Sequence, residues 1–220
     1  MIGQLRRKDT SSFRTAKSPE YADAYMMDGQ LATDRRKRRI DETEGNIVRS
    51  LVGMLPAGAR IADVPSGNGR LSQVVRRDDL DVVAMDFSLS MLTAMANRGD
   101  QAGSWLGRRV QADVTDLPLP DKSIDLFINM RLMHHIQDED LQLRMYRQIG
   151  RVTRGKIITS FWTTHCWRYV RRRLRGKPLR GYAISPRRFQ EICTRAGLTV
   201  ERIVPTRRWW EEECVAICRP

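Results

Sequence analysis

Short apolar runs alternate along the chain with longer stretches whose apolar residues recur at helical spacing. Strand-length runs end at Asp63 (IAD) and Asp86 (DVVAMD), and a third ends near Asp113. IDLFIN (124–129), KIITSFW (156–162), LTVERIVP (198–205) and ECVAICRP (213–220) complete seven. Runs buried on both sides and separated by helices predict a mostly parallel sheet covered on both faces, an α/β, Rossmann-like architecture. Asp138 reads as the cap of a helix with Leu141, Met145, Ile149 and Val152 inside. Ser185 and Pro186 open another, carrying Phe189, Ile192, Cys193 and Ala196 and stopping at Gly197. A helical pattern is also expected at Leu71, Val74 and Val75. The first 55 residues lie outside this alternation. They read as helices over 19–55, with Ile40, Ile47, Leu51 and Leu55 on one face, preceded by a mobile basic tail over 1–18.

Composition narrows the class. With 220 residues and 41% hydrophobic, the chain can bury one full core, here expected over 56–220. No apolar run reaches about 18 residues, so no spanning helix is expected. The basic N-terminus has no apolar segment behind it, so no secretory leader is expected. Cys166, Cys193, Cys214 and Cys218 have neither C-x-x-C pairing nor histidines at zinc spacing. They read as buried thiols of a reducing cytoplasm, and no metal site is expected.

The chemistry is concentrated after the first strand. IADVPSGNGR ends in Asp63 and turns through Gly67 and Gly69, and Asp86 follows about 20 residues on, where a ribose-binding acid belongs. A dinucleotide loop needs a third glycine so that a pyrophosphate can approach the helix N-terminus, and Ser72 stands there instead. Asp63 would repel a pyrophosphate but can hold an ammonium group. S-adenosylmethionine has an ammonium, a ribose diol and no phosphate.

These segments, in this order, resemble a class I S-adenosylmethionine-dependent methyltransferase of the ubiquinone and small-molecule branch, well over residues 40–160 and loosely elsewhere. The family loop D-x-G-x-G-x-G is matched at Asp63, Gly67 and Gly69, with Asn68 between them, while Pro65 replaces the first glycine. Proline lacks an N–H, so the resemblance requires that this donor be dispensable. It further implies that Phe87 and Met91 flank the adenosine and that Ala112, Asp113 and Val114 meet the adenine. Asn129, Met130 and Arg131 would line the methionine end. Families of this kind fold N-terminal helices over the site as a lid, from which Tyr21 and Tyr25 would reach cofactor or acceptor; plain helix packing is the alternative. His134 and His135 follow the fourth strand at the ligand-binding edge of such sheets. His135-Ile136-Gln137-Asp138 resembles a segment of phosphobase methyltransferases whose histidine acts in catalysis. Histidine's pKa suits proton removal from an acceptor.

Charge is the chain's departure from that family. Lys and Arg number 39 against 26 acids, a net +13. Nine basic residues lie between Arg168 and Arg188, inside a basic insertion expected over 163–184 and just beyond it, and Trp162, Trp167, Tyr169 and Val170 are interleaved with them. Arg168, Arg171, Arg172 and Arg175 are the candidate acceptor contacts, since arginine recognises phosphate and carboxylate by forked hydrogen bonds. A second run, Arg35 to Arg39, lies in the expected lid. The reading is a methyltransferase for a small or lipid-linked anionic acceptor: a phospholipid, a quinone precursor or an envelope glycolipid. It would be cytoplasmic, peripheral at the inner membrane face. A nucleic-acid methyltransferase would also use a basic surface, but NMRLMHH lacks the N-P-P-Y type of motif. A non-catalytic binding protein that keeps the fold is the third reading, supported by Pro65 alone.

Overall fold

The computed structural model describes residues 35–71, 74–75, 77–97, 108–176, 181–207 and 209–220, with side chains from residue 38 onward. The expected tail, Tyr21 and Tyr25, the first part of the expected lid, and Lys177 and Arg180 of the basic run lie outside the described residues.

Strands β1 (Arg60–Asp63), β2 (Asp81–Asp86), β3 (Arg108–Gln111), β4 (Ile124–Asn129) and β5 (Thr153–Thr163) run parallel in the order β3-β2-β1-β4-β5. β6 (Ala183–Ile184) adds two parallel pairs at the end of β5. β7 (Thr199–Pro205) and β8 (Glu213–Arg219) close the sheet, with β8 antiparallel between β5 and β7. The seven expected strands are present, and β6 is an eighth that two residues inside a basic stretch could not announce. Neighbouring residues feed opposite layers, as a period of two requires. Ala62, Phe127 and Ile157 join one core cluster, while Ile61, Leu126, Ile128 and Ile158 join the other.

Helix α1 (Arg35–Gly53) packs Val48, Leu51 and Val52 into the second layer. Helix α2 (Leu89–Asn97) adds Met95 to that layer. Helix α3 (Glu139–Val152) starts where Asp138 accepts the Leu141 N–H at 3.1 Å, and Glu139 and Asp140 favour the positive end of its dipole. It buries Leu141, Met145, Ile149 and Val152, as their spacing predicts. Helix α4 (Trp167–Leu174) is capped by the Cys166 sulfur, which accepts the Tyr169 N–H. Helix α5 (Pro186–Arg195) begins at Ser185, which accepts the Arg188 N–H, and ends before Gly197 at φ 85°. Of the segment where a helical pattern is expected, Leu71, Val74 and Val75 are described. They lie in a turn, their apolar side chains still packed against α1 and the sheet. Apolar spacing records which side chains face the core, and a turn can meet that need as well as a helix.

A buried polar chain ties β4 to the loop after β1. Asn129, fully buried, donates from Nδ2 to the Val64 carbonyl at 2.7 Å and accepts at Oδ1 from Thr159 at 3.1 Å. The Tyr146 hydroxyl sits 3.2 Å from that threonine and reaches the Met133 sulfur. Gly155 matters for a different reason: a Cβ there would lie 2.1 Å from the Asp125 carbonyl oxygen, beside the irregularity in the β4–β5 pairing.

Asn129→Ala strands the Val64 carbonyl and the Thr159 hydroxyl away from water and should cost about 1–3 kcal/mol; urea denaturation reads it, and an unchanged midpoint would mean that water replaces the amide. Gly155→Ala should lower the melting temperature through a clash worth about 1–3 kcal/mol. Wild-type melting would show that the two strands part freely at this point.

Candidate functional site

The loop after β1 is built by backbone hydrogen bonds on either side of Pro65. Val64 N–H donates to Ile128 O and Ser66 N–H to Met85 O, both at 2.8 Å, and the Val64–Pro65 peptide between them is cis. Gly67 and Gly69 take φ of 56° and 83°, where a side chain would be strained. Asp86, fully buried at the end of β2, accepts from Gly67 N–H at 2.9 Å and from Ser88 N–H at 2.8 Å. The residue expected to hold a ribose therefore also clamps the glycine loop. A carboxylate has about four acceptor positions, so the two roles are compatible.

Two buried atoms here have no hydrogen-bond partner in the protein, Asp63 Oδ1 and Ser66 Oγ. Burial pushes the Asp63 carboxyl up to about 7, against the pull of Arg70, with Asp86 adding to the rise. Buried polar atoms are nearly always satisfied, and each exception asks for a reason. A carboxylate oxygen and a hydroxyl beside a glycine turn fit the ammonium end of an amino-acid ligand, so the residues present fit S-adenosylmethionine.

The residues assigned to adenosine form the next wall. Phe87 is half-buried, and its carbonyl accepts from Gln111 Nε2 at 3.0 Å. Met91, Ala112 and Val114 are buried, and Ala112 N–H donates to Asp86 O. Asp113 Oδ1 accepts from both the N–H and the hydroxyl of Thr115, at 2.9 and 2.8 Å. Asn68 is buried in the loop itself.

After β4 the chain does something no local pattern announces. Met130 is buried, and Arg131 adopts φ 57°, its N–H donating to Ser160 Oγ at 2.8 Å. That left-handed backbone costs a residue with a Cβ about 1–3 kcal/mol. It accompanies a guanidinium paired with Asp41 and Glu44 of α1, the latter at 2.9 Å. Arg70, just past the glycines, meets the same Glu44 at 2.7 Å. Glu213 of β8 lies 3.8 Å from Arg131 and accepts from Ser160 Oγ. Burial, with Glu44 nearby, pushes the Glu213 carboxyl up against the pull of Arg131 and Arg70, which favours its protonated form. Asp41, Glu44, Arg70, Ser160 and Glu213 are absent from the sequence reading, because contacts spanning some 90 positions leave no motif.

The two histidines separate. His134 is buried, stacked on Trp162 with ring centroids 4.2 Å apart, and pushed down to about 2 by burial and by the neighbouring His135 and Arg131. Such a ring accepts no proton at neutral pH. His135 is exposed at the same turn. The basic run separates as well. Arg187 and Arg188 of α5 pair with Glu191 of the same helix, and Arg188 also pairs with Glu139 of α3. Arg168, Arg171, Arg172 and Arg175 gather with Trp167 and Trp210 around a cleft of about 330 Å³. Among the described residues no cluster suits a metal ion, and no helix is long and apolar enough to cross a membrane.

Residues 61–156 match the family described as a methyltransferase domain. The 27-O-demethylrifamycin SV methyltransferase of Amycolatopsis mediterranei is 29% identical over 127 residues, covering 55% of this chain and 45% of that protein. The demethylmenaquinone methyltransferase of Renibacterium salmoninarum is 39% identical over 95 residues, 43% of this chain and 35% of that one. The chain thus spans less than half the length of these curated relatives. Magnesium protoporphyrin IX methyltransferase from Synechocystis PCC 6803, crystallised with bound SAH, superposes with a TM-score of 0.73 at 17% identity, covering 96% of this chain and 99% of that one, and shares its fold. The glycine turn, the acids at the ends of β1 and β2 and the sheet order agree with these matches: residues 61–156 carry a methyltransferase domain, and the chain is similar to S-adenosylmethionine-dependent methyltransferases in sequence over that stretch and in fold beyond it.

Proposed function

We propose that this chain transfers a methyl group from S-adenosylmethionine to a small or lipid-linked acceptor that carries negative charge. The observation that supports it most is the pair of unpartnered buried atoms, Asp63 Oδ1 and Ser66 Oγ, beside a loop held open by Asp86. When bound, S-adenosylmethionine supplies a sulfonium methyl, so the protein's task is placement of the acceptor. Asp63 would take the ammonium, Asp86 the ribose, and the Phe87, Met91 and Ala112–Val114 wall the adenine. Arg131 is spent on Asp41 and Glu44, so its part at the methionine end is to shape the backbone there. Of the two histidines only His135 has the exposure to receive an acceptor proton. The named relatives act on a rifamycin and on a menaquinone precursor. An anionic acceptor here is supported by the arginine-lined cleft behind β5, on the sheet edge where β1, β2 and β4 end. A lipid-linked acceptor would place the chain at the inner membrane face.

The Asp63 assignment has a pH signature. Its folded-state carboxyl is raised to about 7, so its contribution to stability is full below the unfolded value of 3.8 and is lost as pH climbs through 7. A bound ammonium favours the ionised form, so cofactor affinity should rise from pH 6 to 7.5, by at most about tenfold per unit. Calorimetric titration with S-adenosylmethionine should show that rise with proton release, no heat with NAD, and a flat profile for Asp63→Asn. A flat wild-type profile would remove Asp63 from the site. For the acceptor, cofactor labelled in its methyl group is incubated with the protein and separate pools of anionic lipid, quinone precursor and RNA. Label in lipid or quinone supports the proposal, and label in RNA alone replaces it with nucleic-acid methylation.

A further inference from the structure

Helix α4 has an apolar stripe that nothing among the described residues covers. Trp167, Val170 and Leu174 recur at spacings of three and four, the pattern that normally faces a core, yet none of the helix's residues is buried and Leu174 is 77% exposed. Eight residues are too few for a free helix to hold itself in water. What fixes this one is its N-terminal end. Cys166 caps it, Trp167 N–H donates to Trp209 O at 2.7 Å, and Arg168 reaches Glu212 at 3.5 Å. The stripe itself is left outward.

The neighbouring turn extends the same surface. Trp209 is 70% exposed and stands at φ 68°, a conformation that disfavours any residue with a Cβ. Trp210 is exposed beside it, with the Arg207 guanidinium 5.7 Å above its ring. Between Trp167 and Gly176 lie five arginines and no acid. Four of these, Arg168, Arg171, Arg172 and Arg175, line the 330 Å³ cleft between α4 and Trp210, whose buried Glu211 lies 4.0 Å from Arg168.

We propose that α4 together with Arg207, Trp209 and Trp210 is a docking face for an anionic lipid bilayer. Tryptophan settles at the headgroup level, leucine and valine enter the acyl boundary, and arginines meet lipid phosphates. Each cation near such a surface contributes about 1 kcal/mol. The mixture of side chains favours this occupant. Single-stranded nucleic acid would use the tryptophans but leave Val170 and Leu174 against water. A second copy of the chain would bring five arginines against five in a two-fold contact. Position agrees too, because α4 follows β5 at the sheet edge where β1 and β4 present Asp63 and Asn129. Docking through α4 turns that edge to the membrane. The proposal deepens the lipid-linked reading of the acceptor, but vesicle binding needs neither cofactor nor acceptor, so either can fail alone.

The test is co-sedimentation of the full chain with vesicles of phosphatidylcholine alone and of phosphatidylcholine mixed with phosphatidylglycerol. Binding is expected only to the anionic vesicles, with a blue shift of tryptophan fluorescence and quenching by brominated acyl chains. Two variants change exposed residues only, Leu174→Ser with Trp209→Ala, and Arg171→Gln with Arg173→Gln. Each should weaken binding by at least about tenfold at an unchanged melting temperature. The proposal is overturned by equal binding to neutral vesicles, by no binding, or by wild-type binding of the Leu174/Trp209 variant. Unshifted wild-type fluorescence on the vesicles overturns it even if a variant fails to fold. Displacement from vesicles by RNA, or self-association lost with the same substitutions, assigns the face to another partner.

Discussion

Two guanidinium groups and three carboxyl groups, largely withdrawn from water, hold together pieces of chain that no hydrogen-bonded ladder joins. Glu44 receives Arg70 from the glycine turn and Arg131 from the loop after β4, and Glu213 stands behind them on β8. Taking such charges out of water costs several kcal/mol per ion, repaid only by close pairing. Burial and the nearby Glu44 favour the protonated form of Glu213, which brings the charges of the cluster closer to balance. The parts of the candidate site are fixed by it on one side: α1 packs where it does, Arg70 leads out of the loop, and Arg131 accepts a strained backbone. A sheet edge can offer loops in many conformations, and this cluster selects one.

The hydrophobic pattern specified the sheet well, because burial on alternate faces leaves a trace at every second residue of β1, β4 and β5. Capping was equally readable at Asp138, Ser185 and Gly197, where one residue type does the work locally. Leu71, Val74 and Val75 make the apolar contacts that their spacing predicts, and they make them from turn positions. β6 left no trace, being two residues that pair only because β5 runs on past its neighbours. At the site, Asp63, Gly67, Gly69 and Asp86 were legible from spacing. The clamp that Asp86 places on Gly67 was not, nor was the Asn129–Thr159–Tyr146 chain, because a hydrogen bond across the sheet has no sequence period. His134 and His135 looked alike in the sequence, and the fold buries one ring against Trp162 while leaving the other exposed.

Opposite electrostatic problems sit at the two ends of one edge. Near β1 the protein buries a carboxyl that is reluctant to ionise, because water is excluded and Asp86 is close. Behind β5 it exposes arginines that are readily solvated, on a helix none of whose residues is buried. A ligand with a cationic end and an anionic neighbour would find each charge answered by the other, and Pro65, which lacks an N–H, stands between two bonds that the loop completes without it.

The placement of β8 between β5 and β7 bears on how the molecule is made. It is the last of the eight strands to leave the ribosome, yet it pairs with both neighbours along most of its length and brings Glu213 to the ion cluster. Arg131 emerges about 80 residues earlier, roughly 4 to 16 seconds at ordinary synthesis rates. During that interval β5 has a bare edge, and Arg131 and Arg70 have only the carboxylates of α1. Neither the sheet nor the charge cluster can therefore be complete before β8 has been made.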